Sequence, residues 1–451
     1  AQLAAIAGQK AALEVFLGCW YRDTGVNNMV WTGNGTFVSA LHLAVFHRHR
    51  SVVDVLLRSP DFKLFNERST IIRADESETY SGLTGLHLAA RVGAPDIVEC
   101  FLQPDTQFTA HNAKCMWTSA SSEALDLNPL HLACLGGHAG VARVLLQFSP
   151  VSDEFPRLTC GNDFVSSATG PLDMTLCPAT ESSIATMTHS DQHSSYMQEK
   201  CAYNGMSNCT ALHLAACKGH EAVVECLLRD THAQQTLASR CTPQRRTALH
   251  LAAERGHAGV AQAILHSDRS RTVAGLRVPS GGSFHTAVHA ATFAGHLAMV
   301  RTLLDMDPES FPDACVIAAT ADGSTILHIA AACGHETVVR LLLSHPRCSG
   351  GFGVPHLVNM SNAHGQTALH SAAYFATQSL PDGKPLASTL ALASCASKDT
   401  YLRIMSHMLN HDDFAKSEAK DAFGMKALHM LDSADAEVLK CKFSDVSWAR
   451  L

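Results

Sequence analysis

An all-α solenoid of stacked helix–turn–helix units is the fold that these 451 residues predict. The first observation is internal repetition. Thr210-Ala-Leu-His-Leu-Ala-Ala-Cys-Lys-Gly-His220 returns as Thr247-Ala-Leu-His-Leu-Ala-Ala-Glu-Arg-Gly-His257 and as Thr325-Ile-Leu-His-Ile-Ala-Ala-Ala-Cys-Gly-His335. The second is composition: hydrophobic residues make up 46% and aromatics only 6%. A core of Ala, Leu and Val suits close helix packing and is ample enough to exclude wholesale disorder. The third is a helical apolar pattern after each copy, with Val223, Val224, Leu227 and Leu228 after the first and Val338, Val339, Leu341 and Leu342 after the third.

Each part of the unit follows from its residue types. Thr opens a short helix as its cap, because its hydroxyl can satisfy backbone N–H groups that lack a helical partner. Leu and the Ala pair make a thin first helix that lets neighbours stack closely. Gly then takes the left-handed conformation that ends it. A second helix carries Val and Leu on the face turned to the next unit. One unit cannot cover its own apolar faces, so only the array is stable. Looser copies centre on His42, His87, His131, His289, His370 and His429, and a half-copy runs from Ala4 to Leu17.

Charge and cysteine usage narrow the classes. A formal charge of −7 and the lack of a Lys/Arg stripe argue against nucleic acid as a partner. No apolar stretch approaches the roughly 18–20 residues of a membrane span, and no leader pattern opens the chain. The chain starts in the middle of a helical pattern, so it reads as an excised fragment. Cys100, Cys134, Cys217, Cys226 and Cys333 sit among Ala and Leu in helical patterns and read as buried thiols. The absence of any Cys-x-x-Cys pair gives a zinc site little support. Buried thiols point to a reducing, cytoplasmic setting.

The repeated Thr-x-Leu-His-x-Ala-Ala-x-x-Gly-His and its Val-Val-x-x-Leu-Leu tail resemble the ankyrin repeat over nearly the whole chain. Of 27 histidines, nine follow the Leu or Val of the motif and six more occupy the Gly-His position: His49, His138, His220, His257, His296 and His335. The resemblance implies that these imidazoles tie neighbouring loops and helices together. A metal site would need several of them to converge, whereas repeats hold equivalent residues about 10 Å apart. No metal and no cofactor is expected.

The spacing departs from the family. Successive motif histidines lie 45, 44, 82, 37, 39, 39, 42 and 59 residues apart, against a usual period of about 33. The extra residues fall after the second helix, where the family places β-hairpin fingers; Pro60–Ser81, Gln103–Asp126 and Ser344–His364 are such stretches. Between His131 and His213, Leu172-Asp173 fits a degenerate repeat near 170–200, while Pro178 and the Ser/Thr-rich run Ser166–Ser195 fit a long loop. A further insertion, Thr377–Thr400, splits the His370 repeat, whose second helix is expected to resume at Tyr401. The expected organisation is an array over 1–440 of about ten repeats, then the start of a following module or a cap at 441–451. Leu439–Phe443 alternates like a strand and is similar to the entry of a leucine-rich-repeat region, as in Roco-type kinases with N-terminal ankyrin repeats.

No catalytic constellation stands out. The phosphate-loop, His-Glu-x-x-His and Gly-x-Ser-x-Gly patterns are missing. Gly350-Gly351-Phe352-Gly353 leads into Val354-Pro355 rather than a helix. Cys333 and His335 lack a third orienting group. The three Asn-x-Ser/Thr triplets, at Asn34, Asn208 and Asn359, are not expected to carry glycans. A non-enzymatic role follows: a scaffold binding a partner protein through its groove and fingers. The alternative is an autoregulatory or sensory arm of a larger protein, such as a Roco-type kinase or an ankyrin-bearing cation channel, docking on its own downstream domain. The resemblance places the two residues after Ala-Ala on the concave groove. They include Phe46, His47, Arg91, Leu135, Lys218, Glu254, Arg255, Phe293, Tyr374 and Phe375. Aromatic and Arg side chains there are the types that anchor interfaces, unless an inserted loop folds back to cover them.

Overall fold

The structure is a computed structural model. It describes residues 1–18, 27–31, 37–72, 78–111, 113–119, 125–148, 159–160, 209–229, 246–267, 278–280, 283–320, 322–348, 356–378, 396–412 and 419–431. The stretch near 170–200, read as either a degenerate repeat or a long loop, and the strand at Leu439–Phe443 lie outside those residues. The chain divides into two units, Ala1–Ala211 and Leu212–Leu451.

Helices dominate both units and come in pairs. In the first, Gln2–Ile6 pairs with Lys10–Gly18, Ala40–Phe46 with Arg50–Arg58, Gly85–Val92 with Pro95–Leu102, and Pro129–Gly136 with Ala139–Gln147. The second unit repeats the scheme with Ala248–Arg255/Ala258–Ser267, Ala287–Phe293/Leu297–Asp305 and Ile326–Ala332/Glu336–Ser344. First helices pack on first helices and second on second. The last clear pair is Ala368–Gln378 with Lys398–Leu409, so the second helix does resume beside Tyr401. Around His429 only a single 3₁₀ turn forms, Ala427–Met430, rather than a full first helix.

The local chemistry of each first helix is uniform. Ser39, Thr84, Asn128, Thr247, Thr286 and Thr325 stand at N-caps in extended conformation. The motif histidine sits three residues on; after Ser39, Thr84, Asn128, Thr286 and Thr325 it closes a capping box, taking the place that Glu or Gln usually fills. Ser39 Oγ lies 2.8 Å from His42 Nδ1, while His42 Nε2 donates to the carbonyl of Leu83, 3.2 Å away, at the start of the next repeat. A carbonyl only accepts, so Nε2 carries the proton and Nδ1 receives the hydroxyl. His328 reaches Gln366 O at 2.9 Å and His370 reaches Met425 O at 3.3 Å in the same way. Burial drives the pKa of His42 and His87 down to about 4, although backbone hydrogen bonds work against it. These imidazoles are neutral structural ties.

The helix ends follow the same economy. Gly93 terminates its helix at φ 75°, and its counterparts have similar angles. In the His42 repeat the position belongs to Arg48, at φ 60°. Its guanidinium donates to the carbonyl of Val92 in the next repeat, so a strained backbone is offset by a cross-repeat bond.

Second helices bury Val52, Val53, Leu56 and Leu57, and the same register recurs at Val223, Val224, Leu227 and Leu228. In the His335 copy the buried set is Val338, Val339, Leu342 and Leu343. The expected Leu341 stands on the flank, half-buried, because the core face falls three, four, seven and eight residues after the histidine. Nine described cysteines are thiols and eight are buried; Cys226 is half-exposed rather than core. Burial pushes the thiols of Cys115, Cys333 and Cys348 up to about 12, which makes them inert.

Two of the three expected fingers form. Ser69–Ile72 pairs with Glu78–Leu83, and Cys115–Ser119 with Leu125–Leu127; the hairpins then join side by side into one four-stranded antiparallel sheet. Alternation gives it a covered face of Tyr80, Cys115, Trp117, Leu125 and Leu127, while Met116 points outward at 45% exposure. The third stretch, Ser344–His364, is not a finger in its described part. It forms 3₁₀ turns at Pro346–Cys348 and Leu357–Asn359, and only an isolated bridge joins Ser361 to Thr367. Arg347 explains the difference. Its guanidinium, 13% exposed, turns inward to the carboxylate of Asp313 at 2.6 Å and to the carbonyls of Leu304, Met306 and Phe311. The chain is drawn against the preceding repeat instead of projecting as a hairpin.

Candidate binding surface on the first helices

Five of the six histidines at the Gly-His position tie this surface to the next repeat. His49 Nε2 bonds Ile6 O at 2.7 Å, His138 bonds Arg91 O at 3.0 Å, and His257 bonds Cys217 O at 3.1 Å. His296 and His335 reach Glu254 O and Phe293 O, both at 3.0 Å. Each satisfies a carbonyl at the C-terminal end of the preceding first helix, where helices lack internal donors. At Arg91, Glu254 and Phe293 the residue whose carbonyl is held is also one whose side chain was expected to face a partner. Its backbone is therefore fixed, and the side chain projects from a rigid base. The His370 repeat has no Gly-His, and there Tyr401 from the resumed second helix donates its hydroxyl to Ala332 O at 3.0 Å. It occupies the histidine's place from the far side of an insertion.

In the first unit Phe46 is 56% exposed and meets His47 edge-on at 5.4 Å; His47 in turn stacks on His49 at 6.2 Å. Arg91 is half-buried. Its guanidinium lies 4.7 Å from the ring centre of Tyr80, so the finger sheet folds back onto this position. Leu135 is half-buried.

In the second unit Lys218 is exposed at the end of Ala211–Lys218. Glu254, 31% exposed, is held by Arg246 at 3.2 Å. Its carboxyl is pushed up by burial, with Arg246 and Arg255 acting in the opposite sense. Arg255 is half-buried. Phe293 is 39% exposed and Tyr374 44%. Tyr374 and Phe375 meet edge-on at 5.3 Å, and Phe375 stacks on Tyr401 at 6.3 Å.

Six of the ten positions thus fall into two classes. Arg91, Glu254 and Phe375 are engaged by Tyr80, Arg246 and Tyr401 of the same chain. Phe46, Phe293 and Tyr374 present apolar surface. Phe46 and His47 are brought together, as are Tyr374 and Phe375. Arg48 and Tyr401 escaped the motif reading. Arg48 was visible as the repeat that lacks Gly; no local signal marks Tyr401. Among the described residues, no group of His, Cys, Asp and Glu is arranged to hold a metal ion, and no helix is long and apolar enough to cross a membrane.

Comparison with known proteins agrees with this anatomy. A family model for the ankyrin repeat matches residues 126–153, and one for ankyrin repeats in three copies matches 187–274 and 289–381. Among solved structures, the chain is similar to the ankyrin repeat domain of Bcl-3, described as a unique member of the IkappaB protein family. The two are 18% identical with a TM-score of 0.43, over 70% of this chain and 98% of that one. No curated protein matches the chain. Capping boxes, left-handed helix ends and cross-repeat histidines recur in one unit, and the chain contains ankyrin repeats within residues 126–153, 187–274 and 289–381.

Proposed function

We propose that this protein binds a partner protein through the first-helix surface of its repeats, with Phe46, Phe293 and Tyr374 as apolar anchors. Ankyrin repeats in general mediate protein–protein interaction, and the fold is typically a non-catalytic scaffold. The observation that carries the residue assignment is the contrast within one structural position. Where the chain engages a side chain with its own residues, as at Arg91 and Glu254, the position is closed. At Phe46, Phe293 and Tyr374 large rings stay 39–56% exposed, and at Phe293 the backbone carbonyl is held by His335 of the next repeat. Exposed aromatics on a rigid base lose little entropy on binding and are typical interface anchors. Buried thiols fit a cytoplasmic setting.

A photo-crosslinking amino acid placed in cells at position 46, 293 or 374, and separately at the exposed Arg229 on a second-helix end, tests the assignment. The expected result is one shared partner band at the first-helix positions, lost when a different anchor is changed to Ala within the same unit, as with Phe293→Ala against a probe at 374. Equal labelling from Arg229 would remove the surface from consideration. Arg91 is a poor test residue, because reversing its charge would also disturb the finger sheet.

A further inference from the structure

The first-helix surface of the second unit changes character from one repeat to the next. Its successive first helices end at Lys218, Arg255, Phe293 and Ala332, and Tyr374 follows the Ala pair of the next one. Charge is concentrated at the first two. Burial pushes the thiol of Cys217 up, while Arg255, Lys218 and Arg246 act against the rise and Glu254 adds to it, so all four charges lie around one residue. Three cations thus stand against one carboxylate, and Arg246 already holds that carboxylate at 3.2 Å. No hydrogen bond or ion pair engages Arg255 among the described residues. On a chain with a formal charge of −7, this end is a local reversal of sign. Beyond Arg255 the same positions are uncharged. Phe293 and Tyr374 are 39% and 44% exposed, and Ala332 between them only 5%. Two rings therefore flank a low step, with the cations at one end of the row.

We propose, resting on the partner-binding role given to these helices, that the row takes an extended peptide segment of another protein, acidic at one end and apolar beyond it. A carboxylate meets Arg255 and Lys218, and apolar side chains cover Phe293 and Tyr374. A basic segment would set like charges together, and an uncharged one would leave Arg255 without a counter-charge; both cost affinity. The spacing follows from the stack. Phe293 stands one repeat beyond Arg255, and Tyr374 two repeats beyond Phe293. Neighbouring helices lie about 10 Å apart, and an extended chain advances about 3.3 Å per residue. The first apolar side chain therefore falls about three residues from the acid and the second about nine.

Labelled synthetic peptides of about ten residues, read by fluorescence anisotropy on the unaltered protein, test the partner class. One peptide has Glu at its first two positions and Leu at the fourth and tenth, with Gly and Ser between. Its sisters carry Lys for Glu, Gln for Glu, or Ser for Leu. The acidic peptide should bind at least about tenfold more tightly than the Lys sister and lose most of that margin at about 0.5 M salt. The Ser sister should bind at least about tenfold more weakly than the acidic peptide. Arg255→Glu with Lys218→Glu should turn the preference toward the Lys sister, an inversion that loss of fold cannot produce. The milder Arg255→Gln should narrow the margin. Equal binding of the acidic, Gln and Lys peptides, binding of none, or a preference that survives the charge reversal would overturn the partner class. If crosslinking from positions 293 and 374 in cells persists in that case, the first-helix surface stands and only the class of partner falls. Self-association of the protein that phenylalanine removal at position 293 abolishes, with no peptide bound, would overturn the proposal in favour of a second copy.

Discussion

The two units differ in how they make the passage from one repeat's second helix to the next repeat's first. In the first unit the passages between Arg58 and Gly85 and between Leu102 and Pro129 extend into hairpins that join in a sheet with its own small core around Tyr80 and Trp117. In the second unit one passage carries a separate short hairpin, Val278–Ser280 with Ser283–His285, and three others end in tight turns. Asn362 Oδ1 accepts from the backbone N–H of His364 and Gln366, both at 3.0 Å, and Asp421 Oδ1 accepts from Phe423 and Met425 at 2.9 Å. Thr320 does the same for Ser324 at 3.0 Å. The turns are joined by single rungs, Ala363 N–H to Asp322 O and Ala422 N–H to His364 O, both 2.8 Å. Apolar area organises the fingers, whereas side-chain acceptors and Arg347 organise the turns. Loop length alone does not decide between them. The joined finger sheet forms where alternating apolar residues give it one dry face.

Acid offers the largest test of this contrast. His42 and His87 are neutral in the folded chain with pKa values near 4, against 6.5 in a model peptide. Between those limits the unfolded chain binds more protons, so stability is lost as pH falls from 6.5 to 4, by roughly 3 kcal/mol per histidine. His328 and His370, also lowered mainly by burial, anchor the turns in the same way. Both regions should therefore loosen together in that window, read by amide exchange of residues 78–83 and 362–367. Below it the turns should lose more. Burial would raise the pKa of Asp322, but the hydroxyls of Thr320 and Ser324 and nearby backbone N–H groups hold it below its usual 3.8. That stabilisation is present above 3.8 and disappears as the carboxylate protonates. Selective early loss of the fingers would contradict the shared histidine anchor.

Mutation separates the regions next. Trp117→Ala should cost about 3–5 kcal/mol locally, opening the finger sheet while the repeats of the second unit keep their exchange protection. Arg347→Ala should cost about 3 kcal/mol, because Leu304, Met306 and Phe311 carbonyls lose a charged donor. Its exchange signature should be confined to residues 306–320 and 346–348. Protection lost across both units by either variant would mean that the passages are not independent.

The smallest effect sharpens the picture at Arg48. Arg48→Gly removes a left-handed cost of about 1 kcal/mol together with a hydrogen bond of similar size, leaving stability within about 0.5 kcal/mol. Arg48→Ala keeps the strain and loses the bond, at about 1 kcal/mol. Denaturant midpoints that fall equally in both variants would show that the positive φ is not what Gly relieves.

Some of this was decided locally and was legible. N-cap hydroxyls three residues before a histidine, the Ala pair, the Gly after it and the second-helix valines each act within a few residues of chain. Their pattern therefore determined the helix pairs, the capping boxes and the ankyrin unit. Fingers were legible as insertions but not as a joined sheet, since pairing Tyr80 with Trp117 needs two repeats already stacked. The inward turn of Arg347, the closure of Arg91 by Tyr80 and the replacement of a histidine by Tyr401 share that dependence. Each joins groups dozens of residues apart, and only the stacked helices bring donor and acceptor within reach. The candidate surface shows the same division: the repeat pattern determined which positions face outward, and the tertiary contacts decided which of them stay open.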